Sequence, residues 1–506
     1  MYTLKSTPKE LFLWWSCIVT GVLLRLYQYF LNRSFWADEA SLALNLVERN
    51  FRQLIRPLDY QQGAPIGFLF IEKTSMTLLG NNEYTLRLFS LVTGILAIYL
   101  LYRIAKEHFG ISGLFALAVF SIGWNVIYYS SELKQYSSDA ALLLLLVYLA
   151  LRVLKSDIVS RREFTLLGIV GSVVIWVSHP SFFVLAAIGI TLLVEKIFRR
   201  NFVPLSWLLG LGAVWWASFG IEYYVSLRHL AADEFLRYYW GKAFMPLPPW
   251  SNKTWFFNTY LSLMDLGIST EQISIYLVLV LLVVGGVSLL IRKRSSALIL
   301  FLIPLMALMA SALQMYPLKN RFMLFLIPPL LLILSEGLGR IYELAARVNR
   351  PLALVLSVLP ALWLAFFPVL VTFDEVRSSH YDTGIRPVVE YVAQNRMPDD
   401  SIYAYQGAEP TFLYYAPLFG IDTKNKNVIV GKSTVLKRRA LENFFKDVDA
   451  LQGRGRVWFV FTDIVDCGRC EGDMQQFYVD ELNKRGTMLD QSNGIWANAY
   501  LYDMDR

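Results

Sequence analysis

Apolar residues run in long blocks through the first three quarters of the chain, and the polar positions gather between the blocks. About 20 residues of helix cross the roughly 30 Å of hydrocarbon in a bilayer. Blocks near that length lie at 11–31, 84–103, 111–129, 138–154, 164–180, 181–198, 203–227, 272–291, 296–314, 322–339 and 352–373. The pattern predicts eleven transmembrane helices. Residues 66–79 (IGFLFIEKTSMTLL) are apolar as well, but short, and they carry Glu72-Lys73. They read as a helix lying against the membrane face.

The pattern changes after residue 375. In the tail, RPVVEYVAQN, VLKRRALENFFKDV and QQFYVDELNKR have helical periodicity, while SIYAY, NVIVG, RVWFVFT and WANAYLYDM read as strands. Alternation of this kind predicts a soluble α/β domain with a mostly parallel sheet. The chain thus divides into a membrane part, 1–375, with long outer loops at 32–83 and 228–271, and a soluble domain, 376–506. No glycine-rich phosphate loop or dinucleotide fingerprint occurs in it.

Composition supports the membrane class: 56% of residues are apolar, 17% are charged, and the mean hydropathy is +0.44. Charge placement then sets the expected orientation. With the N terminus in the cytoplasm, every short inner loop is basic, at Arg103 and Lys106, Arg152 to Arg162, Lys196 to Arg200, Arg292 to Arg294 and Arg340 to Arg350. Counting 66–79 as a span would move these clusters outside. Eleven crossings put the soluble domain outside the cytoplasm. The net charge of +7 follows from this topology, so no nucleic-acid partner is needed. The first block contains Arg25 and lacks an A-x-A site, so it reads as an anchor, not a removed signal peptide.

The outer loops hold the candidate chemistry. Asp38-Glu39 opens the helical pattern ASLALNLVERNF in the first loop. Acidic residues there suit the helix dipole, and a helix start also fixes a carboxylate rigidly enough to take a proton from an acceptor hydroxyl. The second loop places Glu132, Lys134, Tyr136 and Asp139 within eight residues. His179 lies in a short outer turn before Pro180. The loop at 228–271 is dense in aromatic residues around Pro246, Pro248 and Pro249, which suits an interfacial belt, a sugar-stacking surface or a lipid entrance. Lys319 and Arg321 stand in an outer turn, against the positive-inside bias, and arginine presents a fork of donors that matches phosphate oxygens. Cys467 and Cys470 fall in the outer domain, where a disulfide or an incidental pair is expected.

Taken together, WADEA at 36–40, GAPIGFLFIEKTSMTLLGNNEYTLRLFSLVTG at 63–94, SSELKQYSSDA at 130–140 and PLKNRFMLFLIP at 317–328 resemble the GT-C glycosyltransferases. The nearest branch is the family 39-like bacterial group, which includes lipid A aminoarabinose transferase and is related to the protein O-mannosyltransferases. In this branch the second segment runs as a juxtamembrane helix followed by G-x-x-E…R-L entering the next span. Gly63-Ala64-Pro65 stands where the aminoarabinose enzymes have Lys-Pro-Pro.

The resemblance implies inverting transfer from a polyprenyl-phosphate sugar to a lipid, glycan or protein acceptor on the outer face of a bacterial inner membrane. Asp38 would be the base with Glu39 in support, and Arg321 and Lys319 would hold the donor phosphate. Glu132, Lys134, Tyr136, Asp139 and His179 would hold sugar or acceptor. No obligatory cofactor or metal is expected, with a divalent metal left open. The rival readings are a transporter or flippase of lipid-linked sugars, a ligase or polymerase of lipid-linked glycans, and a structural sensor. A transporter would show paired halves and broken helices, and the sequence has no convincing internal repeat.

Overall fold

The computed structural model of the chain describes residues 7–156, 159–199, 202–268, 272–378, 384–431, 437–464, 474–494 and 496–505. In the membrane part the helices are α1 (Pro8–Phe30), α2 (Ala37–Glu48), α3 (Ile66–Leu79), α4 (Glu83–Ile104), α5 (Gly113–Ile122), α6 (Trp124–Tyr128) and α7 (Tyr136–Lys155). They continue with α8 (Arg161–Val174), α9 (Ser181–Phe198), α10 (Leu205–Glu222), α11 (Arg228–Ala232), α12 (Glu234–Tyr239) and α13 (Lys253–Ile268). The last four are α14 (Gln272–Arg292), α15 (Arg294–Ala312), α16 (Ile327–Ala346) and α17 (Arg350–Ser378).

Each of the eleven apolar blocks therefore contains a helix, and the chain is a multi-pass membrane protein. By length and composition, eight helical stretches among the described residues can cross a bilayer, with 83–122 counted as one bent stretch of 40 residues. Helices α8 and α10 fall outside that set, α8 because it has only 14 residues. Helix α3 is also 14 residues long, roughly 21 Å at 1.5 Å per residue. It lies along the start of α4. Glu72 of α3 is buried with neither oxygen partnered among the described residues, and burial drives its pKa well above the ordinary carboxylate value.

The block at 111–129 breaks at Gly123, which leaves the last carbonyls of α5 without helical partners. Arg25 meets two of them, with Nη1 donating to Ser121 O at 3.3 Å and Nη2 to Phe120 O at 3.2 Å. Thr372 Oγ1 donates to Ile122 O at 2.6 Å. A charged residue inside the first span is explained by this break. It caps a helix end that has no water to turn to.

The tail contains α18 (Ile385–Asn395), β1 (Ser401–Ala404), α19 (Glu409–Tyr415), β2 (Val428–Val430), α20 (Lys437–Asp449), β3 (Arg456–Thr462), α21 (Met474–Asn483), β4 (Thr487–Asn493) and β5 (Ala497–Asp503). The sheet order is β2-β1-β3-β5-β4. β1 pairs in parallel with β2 and β3, while β5 pairs antiparallel with both β3 and β4. The expected mostly parallel sheet is thus half antiparallel. The difference comes from β4, an edge strand of alternating exposure whose sequence, TMLDQSN, carries little strand signal. Cys467 and Cys470 lie outside the described residues.

Besides a smaller core within the tail around Phe444, Phe459 and Tyr478, two larger cores hold the molecule. One fills the helical bundle around α7 and α16. The other joins α2, α3 and the start of α4 to α18, α19 and the central strands of the tail. Phe35, Leu42 and Phe68 share that core with Val389, Phe412 and Trp458. One face of the tail is therefore completed by the first outer loop.

The loops also sort to opposite ends of the bundle. At one end Arg294 pairs with Glu195, Arg292 with Glu343, and Lys293 lies over the Phe109 ring. At the other end the first, second and fifth outer loops meet beside the tail.

Candidate active site

Helix α2 starts at Ala37 with Trp36 as its N-cap residue, and no side chain of its own caps it. Asp38 and Glu39 follow in the first turn and point to different neighbours. Asp38 Oδ2 accepts from Arg321 Nη2 at 2.6 Å, and Oδ1 lies 3.0 Å from Lys134 Nζ and accepts from Gln62 Nε2 at 3.0 Å. The ammonium of Lys134 donates in turn to Gln62 Oε1. Tyr60 and Gln61 both have left-handed backbone (φ 59° and 51°), and this tight turn aims Gln62 at the carboxylate. The Arg321 guanidinium sits between two rings, 5.0 Å from the centre of Trp36 and 5.5 Å from that of Tyr136.

Burial acts to raise the Asp38 pKa. The charges of Lys134 and Arg321 and the hydrogen bonds from Gln62 and Lys134 outweigh it and hold the carboxyl below its usual range. Glu132 behaves in the opposite way. It is fully buried and, among the described residues, accepts only from the Trp36 indole N–H at 2.6 Å and has Oε2 unpartnered. Burial first, and the Glu39 charge second, push its pKa up to about 7.

Glu39, expected beside Asp38 in the chemistry, faces the protein interior instead. It takes both Nε and Nη2 of Arg87 in a fork, at 2.8 and 2.6 Å, and accepts the Leu133 N–H at 2.7 Å. Consecutive residues near the start of a helix point about 100° apart, so only one of the pair can face the cleft. Arg87 also donates to the carbonyls of Arg33 and Ser34, which fixes the segment leading into α2. Lys319 likewise does not accompany Arg321. Asn320 between them has left-handed backbone (φ 46°), and Lys319 is turned to an exposed cleft on the other side of the loop.

Asp139 and His179 form a separate cluster with Ser178 and Glu222. His179 Nε2 lies 3.5 Å from Glu222 Oε1, the Ser178 hydroxyl faces Asp139, and Asp139 Oδ1 and Glu222 Oε1 are buried without hydrogen-bond partners among the described residues. Among the described residues no three His, Cys, Asp or Glu side chains converge as ligands for a metal ion.

The tail reaches this site through the first loop. Tyr415 of α19 accepts the Phe35 N–H at 2.8 Å and donates to Glu83 at 2.8 Å. Arg386 pairs with Glu83 at 2.8 Å and donates to Asn32 O at 2.8 Å. The carboxyl of Asp463, just after β3 and in left-handed backbone (φ 47°), faces the Ala37 N–H at the open start of α2.

Sequence reasoning missed Trp36, Gln62, Arg87 and Glu222 as parts of these clusters. Trp36 and Arg87 belong to the segments that carry the resemblance, so motif membership was their signal. Gln62 and Glu222 had none.

Comparison with known proteins agrees with this architecture. Residues 63–219 match the family model described as dolichyl-phosphate-mannose-protein mannosyltransferase. ArnT from Cupriavidus metallidurans, in a crystal structure bound to undecaprenyl phosphate, superposes with a TM-score of 0.56 at 13% identity. That match covers 96% of this chain and 97% of ArnT. The oligosaccharyltransferase of Archaeoglobus fulgidus, in complex with Zn and sulfate, matches with a TM-score of 0.53 at 12% identity over 88% of this chain and 67% of its own. No match to the chain is found among curated protein sequences. The chain thus has the fold of ArnT, as the motifs led one to expect.

Proposed function

We propose that the protein transfers a sugar from a polyprenyl-phosphate donor to an acceptor on the outer face of the membrane, with inversion at the anomeric carbon. One observation carries the reading: a single carboxylate, Asp38, is held between two cations from different loops, Arg321 and Lys134. In the transfer an acceptor oxygen attacks the anomeric carbon, the bond from that carbon to the phosphate oxygen breaks, and its electron pair stays on the phosphate. The acceptor proton passes to Asp38.

In the resting site the two cations make Asp38 a poor base. A donor phosphate competes for the same two cations. As Arg321 and Lys134 turn to it, Asp38 loses the partners that hold its pKa down, so the base is released only when donor is bound. Lys134 also fills a gap in the sequence. It bonds Gln62, the residue before Gly63, where the aminoarabinose enzymes place a lysine, so loop two supplies the cation that loop one lacks. The bound undecaprenyl phosphate in ArnT supports a donor of this class.

Reconstitution with labelled undecaprenyl-phosphate sugars tests the proposal. Label appearing on an acceptor, with release of undecaprenyl phosphate, is expected. Movement of intact donor across the bilayer without cleavage would refute transfer and favour a transporter.

A further inference from the structure

Beside the Asp38 site lies an open cleft of about 970 Å3. Helix α13 forms one wall. Thr254, Asn258 and Ser262, spaced one helical turn apart, line the cleft together with the largely buried Trp255, while Phe256 and Tyr260 pack against the bundle core. Lys242 and Lys319 also line it, on two segments joined by the Leu318 N–H bonding Ala243 O at 2.9 Å. Both lysines are exposed, and neither ammonium has a partner among the described residues.

The cleft and the Asp38 site meet at the loop of Lys319, Asn320 and Arg321. Phe322 stands edge-on to Trp240 at 4.9 Å on one side and to Tyr136 at 5.7 Å on the other. The left-handed Asn320 sends Lys319 into the cleft and Arg321 to Asp38, two residues apart.

We infer that this cleft binds the carbohydrate of an anionic glycoconjugate and presents it to Asp38 as acceptor. The inference rests on the transfer reading above. Its grounds are the match of chemistry and size. Hydroxyl and carboxamide side chains at helical spacing pair with sugar hydroxyls. The two lysines are cations beyond the pair that faces the donor phosphate, and point charges of this kind suit a carboxylate or phosphate on the ligand. The volume lies at the upper end of the range for ligand sites, about 300–1,000 Å3, which suits a chain of sugars better than a single ring.

The experiment measures binding to the full-length protein in zwitterionic-lipid nanodiscs. Tetragalacturonate should bind, maltotetraose should bind more weakly, and Lys242→Gln/Lys319→Gln should weaken tetragalacturonate by about tenfold while leaving maltotetraose unchanged. Asn258→Leu should weaken both sugars. Nanodiscs doped with glucuronosyl diacylglycerol separate the two sources of such a ligand. Competition with tetragalacturonate supports a lipid-borne headgroup, and undiminished binding supports a soluble glycan chain. Equal affinity for the two sugars, or no effect of the double substitution, would overturn the proposal.

Undecaprenyl phosphate binding provides the separate control on the donor reading. It should fall in Arg321→Ala and persist in the lysine double variant. If the lysine variant loses undecaprenyl phosphate and keeps tetragalacturonate, the cleft serves the donor and the inference falls. If Arg321→Ala keeps undecaprenyl phosphate, the donor assignment falls while the cleft is still judged on tetragalacturonate.

Discussion

Asp38 is bound by two cations in the resting site, and this separates two effects of removing its charge. Asp38→Asn keeps the shape and can still accept hydrogen bonds, but it cannot take a proton. Turnover should fall by roughly 10²-fold or more, the scale of a lost general base. Affinity for undecaprenyl phosphate should hold or rise, because Arg321 and Lys134 no longer face a competing carboxylate. Weaker binding in Asp38→Asn would mean that the carboxylate orders the cations instead of competing for them. Arg321 lies between two aromatic rings and offers a phosphate the planar fork of donors that an ammonium lacks, so Arg321→Lys should lose most donor affinity. Near-normal kinetics in that variant would remove Arg321 from the site. Glu132 gives a pH test. Its pKa in the fold, about 7, stands above the ordinary 4.5. The unfolded chain therefore releases this proton first as pH rises, and the folded state loses stability through that window. Glu132→Gln has no proton to lose. It should match wild type near pH 4 and exceed it above pH 7 by up to ~3 kcal/mol, read as unfolding temperature in detergent at both pH values.

At the scale of elements, the first outer loop is held from both sides. Arg87 of α4 grips it from the bundle, and Tyr415, Arg386 and Asp463 grip it from the tail. Helix α2 lacks a side-chain cap of its own, so Asp463 supplies the function that a Ser or Asp before Ala37 would serve in an isolated helix. Asp463→Ala should cost about 0.5–2 kcal/mol in the register of a lost cap. Because the capped helix carries Asp38, turnover should fall more than donor affinity does. An unchanged turnover would reduce the tail to a passive neighbour. The Glu39–Arg87 pair should behave differently. Both side chains are almost fully buried, so Glu39→Gln strands a buried guanidinium and should cost about 3–5 kcal/mol, seen as loss of folded, extractable protein. These contacts were beyond sequence reasoning for a physical reason. Periodicity marks which face of an element is buried, but not that a residue near 463 closes a helix that begins at 37. The acidic pair shows the limit most clearly: adjacency in the chain suggested joint action, and the helical turn separated the two residues.

For the whole molecule, the apolar blocks gave the positions of the helices well, since burial in lipid imposes one long pattern on each. They gave the crossings less well, because a block interrupted at Gly123, or shortened to 14 residues in α8, keeps its composition while losing reach. In the tail the buried strands were legible and the edge strand β4 was not, since an edge needs no continuous apolar run. Among the candidate site residues, Asp38, Lys134, Glu132, Tyr136 and Arg321 come from separate loops that meet in space. Their meeting makes orientation decisive. A donor with a polyprenyl chain lies in the membrane, and the site at the tail end is useful on the face where the tail resides. Basic clusters mark the opposite end, Arg152 with Glu163 and Arg292 to Arg294 with Glu195, Glu336 and Glu343, and the positive-inside rule predicts that this end faces the cytoplasm. Reporter fusions after Arg294 should therefore read as cytoplasmic and fusions after Arg377 as exterior. An alkaline phosphatase and a fluorescent protein, each placed at both points, make the assay symmetrical, since one is active only outside and the other only inside. A cytoplasmic reading after Arg377 would invert the molecule. It would put Asp38, Arg321 and the Lys242–Lys319 cleft on the inner face, where the donor and acceptor would have to be sought instead.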